Sequence, residues 1–566
     1  MAFLRGTLLL LIALLTASAV WGQGPLQVED VELGGETLQF AAHPWQGRPA
    51  VSAFTRREIP QSAPQLVVHE VVLDETGWHE VGRWLLPDGT RYVEPMVLPG
   101  GASGWLLLVG TQWQIAQADG AKLALHPMCA CDTIYSHGGA PDPDEQHFVY
   151  DLDGDGIDEV VLPYSSYLEA YRIVPQALAP EPLWRIRWHP DGTPLTRAKP
   201  AEHGFVLPDF SFPDVAGNGQ RDLLVVERDR VLVAPLPAPT VSGGYGLDDG
   251  RRALLARRSQ GTPLPASLSY ALHRIGDRRF DTAAAFLAAL AQSVPGTETS
   301  DWAPHLLGLL ALARSELPVV QPYAVPITGL GTFADDDREM VLGRTDMDGD
   351  GVLDLLHAKL IHYGSVFSQQ NELRWYRGHI EGGRLAFAPP TEALRSDAGS
   401  FAELVRPRRE GTPPLALLMA TTNVNLGSIM KALASQSVTL QARILPWQAG
   451  ALAQAPQAAN EFTYHELKAS GRRAMFLFAD LNGDGWRDYL LNLYADSLSV
   501  FLSTDGPPGL AKPSFVQRGL TLSSRPERVL IADLAGDGHE EIVLRYRKDY
   551  HPKLATKLRV IRYVAP

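Results

Sequence analysis

One short acidic phrase recurs along this chain and limits its fold more than any other feature does. Its clearest form is Asp480-Leu-Asn482-Gly-Asp484-Gly485-Trp486-Arg-Asp488, with apolar Phe476–Ala479 before it and Tyr489–Leu493 after it. This reads as strand, tight loop, strand. Oxygen-bearing side chains fall at loop positions one, three, five and nine. Glycine at position six supplies a turn that a side chain would obstruct. Such spacing lets one loop wrap a hard cation such as Ca²⁺, which takes roughly six to eight oxygens. The phrase returns at Asp151-Leu-Asp153-Gly-Asp155-Gly156-Ile157-Asp-Glu159 and at Asp346-Met-Asp348-Gly-Asp350-Gly351-Val352-Leu-Asp354. It returns again at Asp533-Leu-Ala535-Gly-Asp537-Gly538-His539-Glu-Glu541, where position three is lost. A weaker copy, Asp214-Val-Ala216-Gly-Asn218-Gly219-Gln-Arg-Asp222, keeps oxygens at one, five and nine and is expected to hold no cation.

A unit that repeats at this spacing marks a repeat architecture. Repeat starts near residues 94, 151, 214, 346, 406, 480 and 533 give seven units. The one near 406 keeps Gly411 and a trailing apolar strand, Leu415–Leu418, without the acids. Each unit has room for about four short strands, and radial packing of four-stranded sheets hides their edges. The expectation is an all-β fold, a β-propeller of about seven blades (range six to eight). Residues 26–110 read as a first repeat without its acidic loop, and 26–60 as the source of a ring-closing strand. A linear solenoid is the alternative, but the units are long for one. Between Asp214 and Asp346 the spacing doubles, and Ser267–Ile275, Asp281–Gln292 and Asp301–Leu312 have helical patterning. This predicts a small α-helical insertion over 250–315, the other reading being a hidden repeat.

Composition sets the compartment and excludes some partners. Met1–Arg5, apolar Leu8–Leu15 and small Ala17–Ala19 read as a secretory signal over residues 1–22, leaving 23–566 as the propeller. The apolar run is short for a spanning helix. The mature protein is therefore expected to be exported, periplasmic or secreted, with no membrane span. A formal charge of −14 argues against a nucleic-acid partner. The only cysteines, Cys129 and Cys131, read either as an i,i+2 disulfide or as thiolates that bind a metal with His126, Met128 or His137.

The acidic loops resemble the FG-GAP/VCBS repeats of integrin-alpha-type propellers, through the phrase Asp-x-[Asp/Asn]-Gly-Asp-Gly-x-x-[Asp/Glu] followed by an apolar strand. The resemblance covers about residues 145–235 and 340–566. It implies Ca²⁺ held by positions one, three, five and nine and by the carbonyl of position seven. The implied ligands are Asp151, Asp153, Asp155, Ile157 and Glu159, then Asp346, Asp348, Asp350, Val352 and Asp354, then Asp480, Asn482, Asp484, Trp486 and Asp488. Asp533, Asp537, His539 and Glu541 make a fourth set that lacks position three. Three to four structural ions follow. An EF-hand or dockerin would need flanking helices, and the flanks here are β-rich.

A cation caged by four carboxylates leaves none of them to act as a general acid or base. The sequence has no His-Glu-x-x-His, no Gly-x-Ser-x-Gly and no phosphate loop. The expected function is a non-enzymatic binding or scaffold module for a protein or carbohydrate ligand, with no catalytic residues assigned. The alternative is a propeller lyase or hydrolase acting on an extracellular polysaccharide.

Overall fold

The computed structural model describes residues 25–564, apart from 60–63, 131–146, 191–207, most of 237–318, 329–337, 362–369, 406–415, 423–436, 466–474, 521–528 and shorter gaps. The expected signal over 1–22, Cys131, the acid-poor loop at 406–411 and almost all of the expected insertion lie outside the described residues. Of that insertion Arg274, Ala289 and Leu290 are described, and they are helical.

The fold is all-β, a propeller of antiparallel four-stranded sheets. Sheet 1 holds Glu36–Trp45, Arg48–Arg57, Gln65–Asp74 and Gly77–Leu85; sheet 2 holds Thr90–Leu98, Ala102–Val109, Gln112–Asp119 and Lys122–Ala130. Sheet 3 is Val149–Tyr150, Glu159–Pro163, Tyr167–Val174 and Ala179–Arg187, with Val319–Val320 added parallel to the last. Sheet 4 is Asp209–Ser211, Asp222–Val226, Arg230–Pro235 and Tyr323–Pro326. Sheet 5 is Arg338–Thr345, Asp354–Ile361, Gln370–Tyr376 and Leu394–Asp397. Sheet 6 is Phe401–Val405, Ala416–Thr422, Ser437–Gln448 and Ala458–His465, and sheet 7 is Met475–Ala479, Asp488–Tyr494, Ser497–Phe501 and Phe515–Arg518. Sheet 8 joins the two ends of the chain: Val529–Ala532, Glu541–Leu544 and Lys557–Tyr563, completed by Leu26–Glu32.

Sheets 2 to 8 begin where the sequence places its seven repeats. Sheet 1 precedes them, so residues 26–110 hold more than one degenerate repeat. They supply the closing strand, all of sheet 1 and the first half of sheet 2, which puts the ring at the upper end of the expected range. The closing strand runs antiparallel to Lys557–Tyr563 from Leu26↔Tyr563 to Glu32↔Lys557. It removes the exposed edge that sheet 8 would otherwise present. In sheet 4 the third strand pairs directly with Tyr323–Pro326, so the long segment between Pro235 and Tyr323 is inserted within one sheet.

Among the described residues, apolar faces meet between most successive sheets. Phe54, Trp84 and Trp105 fill the gap between sheets 1 and 2. Tyr92, Trp113 and Phe148 fill the next, and Trp184, Trp188 and Phe212 the one after. Leu224 meets Tyr376 between sheets 4 and 5, where Arg338–Thr345 then packs on Phe401–Val405 of sheet 6. Phe462, Phe478 and Phe501 join sheets 6 and 7; Leu490 and Tyr546 join 7 and 8; Val51, Trp78, Leu534 and Val560 join 8 and 1. Each fully buried large side chain contributes about 1.5–3 kcal/mol. These layers therefore hold the ring together, and they fix where its loops emerge. Among the described residues no helix is long and apolar enough to cross a membrane.

Candidate metal loops

All five acidic loops occupy the same place, the turn from the first to the second strand of sheets 3, 4, 5, 7 and 8. In each of these sheets the first strand stands at one end of the strand order. Neighbouring loops touch. A Cβ on Gly217 would lie 2.0 Å from the Gly351 carbonyl oxygen, and the His539 ring Nδ1 lies 2.8 Å from the Leu481 carbonyl oxygen.

The backbone of each loop is folded around its first aspartate. Asp151 accepts the N–H groups of Gly154 (2.8 Å) and Gly156 (3.1 Å). Asp346 accepts those of Gly349 (2.7 Å) and Gly351 (2.9 Å). Asp214, Asp480 and Asp533 likewise accept from Gly219, Gly485 and Gly538. Position five then accepts the N–H of position seven: Ile157 to Asp155, Val352 to Asp350, Trp486 to Asp484 and His539 to Asp537. Glycine is needed at position four as well as six, because both take positive φ, as at Gly349 (84°) and Gly351 (86°).

Position nine is buried and has a second task. Its carboxylate accepts the N–H of position two: Leu152 to Glu159 (3.0 Å), Met347 to Asp354 (2.8 Å), Leu481 to Asp488 (2.8 Å) and Leu534 to Glu541 (2.7 Å). In sheets 5 and 7 the other oxygen takes an N–H beyond the third strand, from Gly378 to Asp354 and from Ser503 to Asp488, both at 2.7 Å. Burial pushes the Glu159 and Glu541 carboxyls up to about 7 and those of Asp354 and Asp488 up to about 6; the backbone donors oppose the shift and neighbouring acids add to it.

Two loops bring carboxylates together. Asp151, Asp153 and Glu159 each place an oxygen within 4.8 Å of the others, and so do Asp346, Asp348 and Asp354. Asp155 and Asp350 stand outside these groups. In sheet 7 Asn482 holds position three, and Asp484 is drawn to the Ser503 hydroxyl at 3.1 Å. The sheet 8 loop has Ala535 at position three. Among the described residues neither of these two loops forms such a three-carboxylate group. The donor set of the first two suits a hard cation. In sheet 3 the test is sharper, since Glu159 is buried and its Oε1 has no hydrogen-bond partner, only the Arg172 Nε at 3.6 Å.

Several contributors escape a reading based on the repeat alone. Arg172 contacts Asp153, and Arg377 reaches Asp348 (2.7 Å) and Asp350 (3.1 Å). Each brings one positive charge against three or four carboxylates, so both loops remain net negative. Position two is a core residue in all five loops (Leu152, Val215, Met347, Leu481, Leu534). At the end of sheet 2, Cys129 is buried with its sulfur 3.6 Å from the Tyr164 hydroxyl oxygen.

The sequence matches no protein-family profile and no curated protein. Among solved structures it is similar to the WD40 domain of SCAP from fission yeast, with 10% identity and TM-score 0.30 over 83% of this chain and 97% of that one. It is also similar to a putative 6-phosphogluconolactonase from Bacteroides uniformis, with 11% identity and TM-score 0.27 over 73% of this chain and 84% of that one. A third is the Photorhabdus luminescens Tc holotoxin pore, with 11% identity and TM-score 0.25. There the match covers 83% of this chain but spans only 20% of the other. Likenesses at these scores carry no functional argument.

Proposed function

We propose that this chain is an exported β-propeller that acts as a binding or scaffold module, with Ca²⁺ held in its acidic loops as a structural ion. The observation that carries this reading is the convergence of Asp346, Asp348 and Asp354 within 4.8 Å at a turn whose backbone is already folded. Like charges so close repel one another, and a divalent cation reverses the sign of that interaction. Asp151, Asp153 and Glu159 form the second site. The loop at Asp480 is a third of the FG-GAP/VCBS type and the loop at Asp533 a fourth that lacks one ligand. Ion binding at the first-to-second turns stiffens one end of the ring, the end offered to a protein or glycan partner. The role is non-catalytic, because every acid in these loops is engaged in building the turn.

The test is thermal unfolding of the protein from residue 23 onward, in millimolar Ca²⁺ and then in excess chelator. An ion that binds only the folded state stabilises it by about 2.7 kcal/mol at a hundred times its Kd, for each site. Chelation should lower Tm, and Asp346→Ala should lower it in calcium and blunt the response to chelator. A Tm that ignores calcium, chelator and the substitution alike rules the cation out.

A further inference from the structure

Along the first strands of sheets 3, 4 and 5 lies an open recess of about 470 Å³. Tyr150, Ser211, Phe212, Arg221, Gly343 and Arg344 line it. It places two guanidinium side chains in one recess of a protein whose formal charge is −14.

The repeats themselves show what is unusual about Arg221. It stands at position eight of its loop, as Arg487 does in sheet 7. Both donate Nη1 to the carbonyl two residues ahead of the loop, Arg221 to Phe212 at 3.2 Å and Arg487 to Phe478 at 2.8 Å. Arg487 is also neutralised by Glu540, at 3.0 Å, which is position eight of the next loop. For Arg221 the same position of the next loop is Leu353. Among the described residues no carboxylate replaces Glu540 there, and Arg221 faces the cavity instead. Arg344, on the first strand of sheet 5, donates Nη1 to the Ser211 hydroxyl at 3.2 Å. It is half-buried, and burial lowers its pKa. The remaining wall is aromatic. The Tyr150 and Phe212 rings meet edge to face with centroids 4.7 Å apart, and the Tyr150 hydroxyl is turned away to the His147 carbonyl at 2.8 Å.

We propose that this cavity binds a small organic carboxylate, its oxyanion taken by Arg221 and Arg344 and its body laid against Phe212 and Tyr150. Guanidinium forks match carboxylate geometry and form the stronger, charge-assisted hydrogen bonds. An apolar wall with a few convergent polar groups is the usual build of a small-molecule site. A bare inorganic oxyanion would leave the aromatic wall unused, so an organic body is favoured. The site gives the binding-module reading a ligand class but does not depend on calcium. A protein whose melting ignores chelator and which still binds the probe loses the ion and keeps this site.

The experiment is calorimetric titration with benzoate, benzamide and sulfate in calcium-containing buffer, at ionic strength fixed with chloride. Benzoate should saturate one site. Benzamide, its neutral counterpart, should bind at least tenfold more weakly, and sulfate should compete but bind less tightly than benzoate. Arg344→Met and Arg221→Leu should each weaken benzoate at least tenfold. Arg221→Leu installs the residue that the next loop carries at this position, so it tests the site even if Arg344→Met does not fold. Benzamide binding as well as benzoate, sulfate binding more tightly than benzoate, or benzoate unaffected by Arg221→Leu in a folded protein overturns the proposal.

Discussion

Asp30 on the first strand and Arg559 on the last form a two-pronged ion pair, Nε to Oδ1 at 2.7 Å and Nη2 to Oδ2 at 2.9 Å. The two residues face each other in register across the seam that closes the ring. Both are largely shielded, with side chains 26% and 13% exposed. Lys557 adds a second cation at 3.7 Å. The hydrogen bond from Arg559 outweighs burial and holds the Asp30 carboxyl below its usual pKa. A carboxylate with a depressed folded pKa stabilises the fold above its unfolded pKa, near 3.8, and that stability is lost as pH falls through the folded value. Asp30→Asn should therefore cost about 1 kcal/mol at pH 7, the upper range for a partly exposed pair. The variant should show a shallower loss of stability below pH 4. Urea midpoints at pH 7 and pH 3 check both points, and equal losses at the two pH values count against the pair.

His357 gives a second pH dependence with a different window. It is buried on the second strand of sheet 5, and burial, then Arg374 and Lys359, lowers its pKa to about 4. The folded state thus binds fewer protons than the unfolded chain, whose histidine titrates near 6.5. Stability is complete above that value and falls as pH drops from about 6.5 to about 4, by up to roughly 3 kcal/mol at 1.36 kcal/mol per unit. His357→Gln removes the titration. Its unfolding midpoint should change less than the wild type's between pH 6.5 and pH 4.5, whatever it loses at pH 7. Parallel pH profiles would falsify this assignment.

The arginine that leans over the sheet 5 loop competes for the same carboxylates as a cation would. Arg377 neutralises part of the Asp348 and Asp350 charge and is itself exposed. Arg377→Ala should leave the loop more negative, making the metal-free protein weaker and the calcium form nearly as stable as before. The Tm drop on chelation should widen. A narrower drop means that the arginine supports the ion rather than replacing it.

The sequence marks the five loops well because their chemistry is local: oxygens at fixed offsets and glycines where φ must be positive. The same marker overlooks sheet 1. Its first two strands are joined by a two-residue turn, Gln46 (φ 50°) and Gly47 (φ 75°), which suits a tight hairpin and needs no acids. Counting repeats by their loops therefore misses a sheet that closes with a plain turn. Arg172 and Arg377 are hidden for another reason. Their loops lie earlier in the chain, and only strand register brings them back over the acids. The demand that a ring hide its edges puts the closing strand within 26–60, and Leu26–Glu32 meets that demand. The cavity residues come from three sheets, so no spacing in the sequence announces them.

Two glycines at the same loop position separate backbone strain from crowding. Gly154 and Gly217 both sit at position four with positive φ, 76° and 65°. A Cβ on Gly154 would meet nothing within 4 Å, whereas one on Gly217 would lie 2.0 Å from the Gly351 carbonyl oxygen and 2.8 Å from its carbon. Alanine at either position must take the left-handed conformation, which costs roughly 1–2 kcal/mol. Gly154→Ala should lose about that much and no more. Gly217→Ala must also push apart the sheet 4 and sheet 5 loops, and backbone cannot yield as a flexible side chain can. It should cost several kcal/mol, about 1–3 beyond the strain. The displaced neighbour is the loop of Asp346, Asp348 and Asp354, so Gly217→Ala should also shrink the calcium-dependent part of Tm. Gly154→Ala leaves that neighbouring loop untouched. Equal unfolding midpoints for the two variants would mean that the sheet 4 and sheet 5 loops do not touch in solution, and the ion site proposed in sheet 5 would then have to be rebuilt without its neighbour.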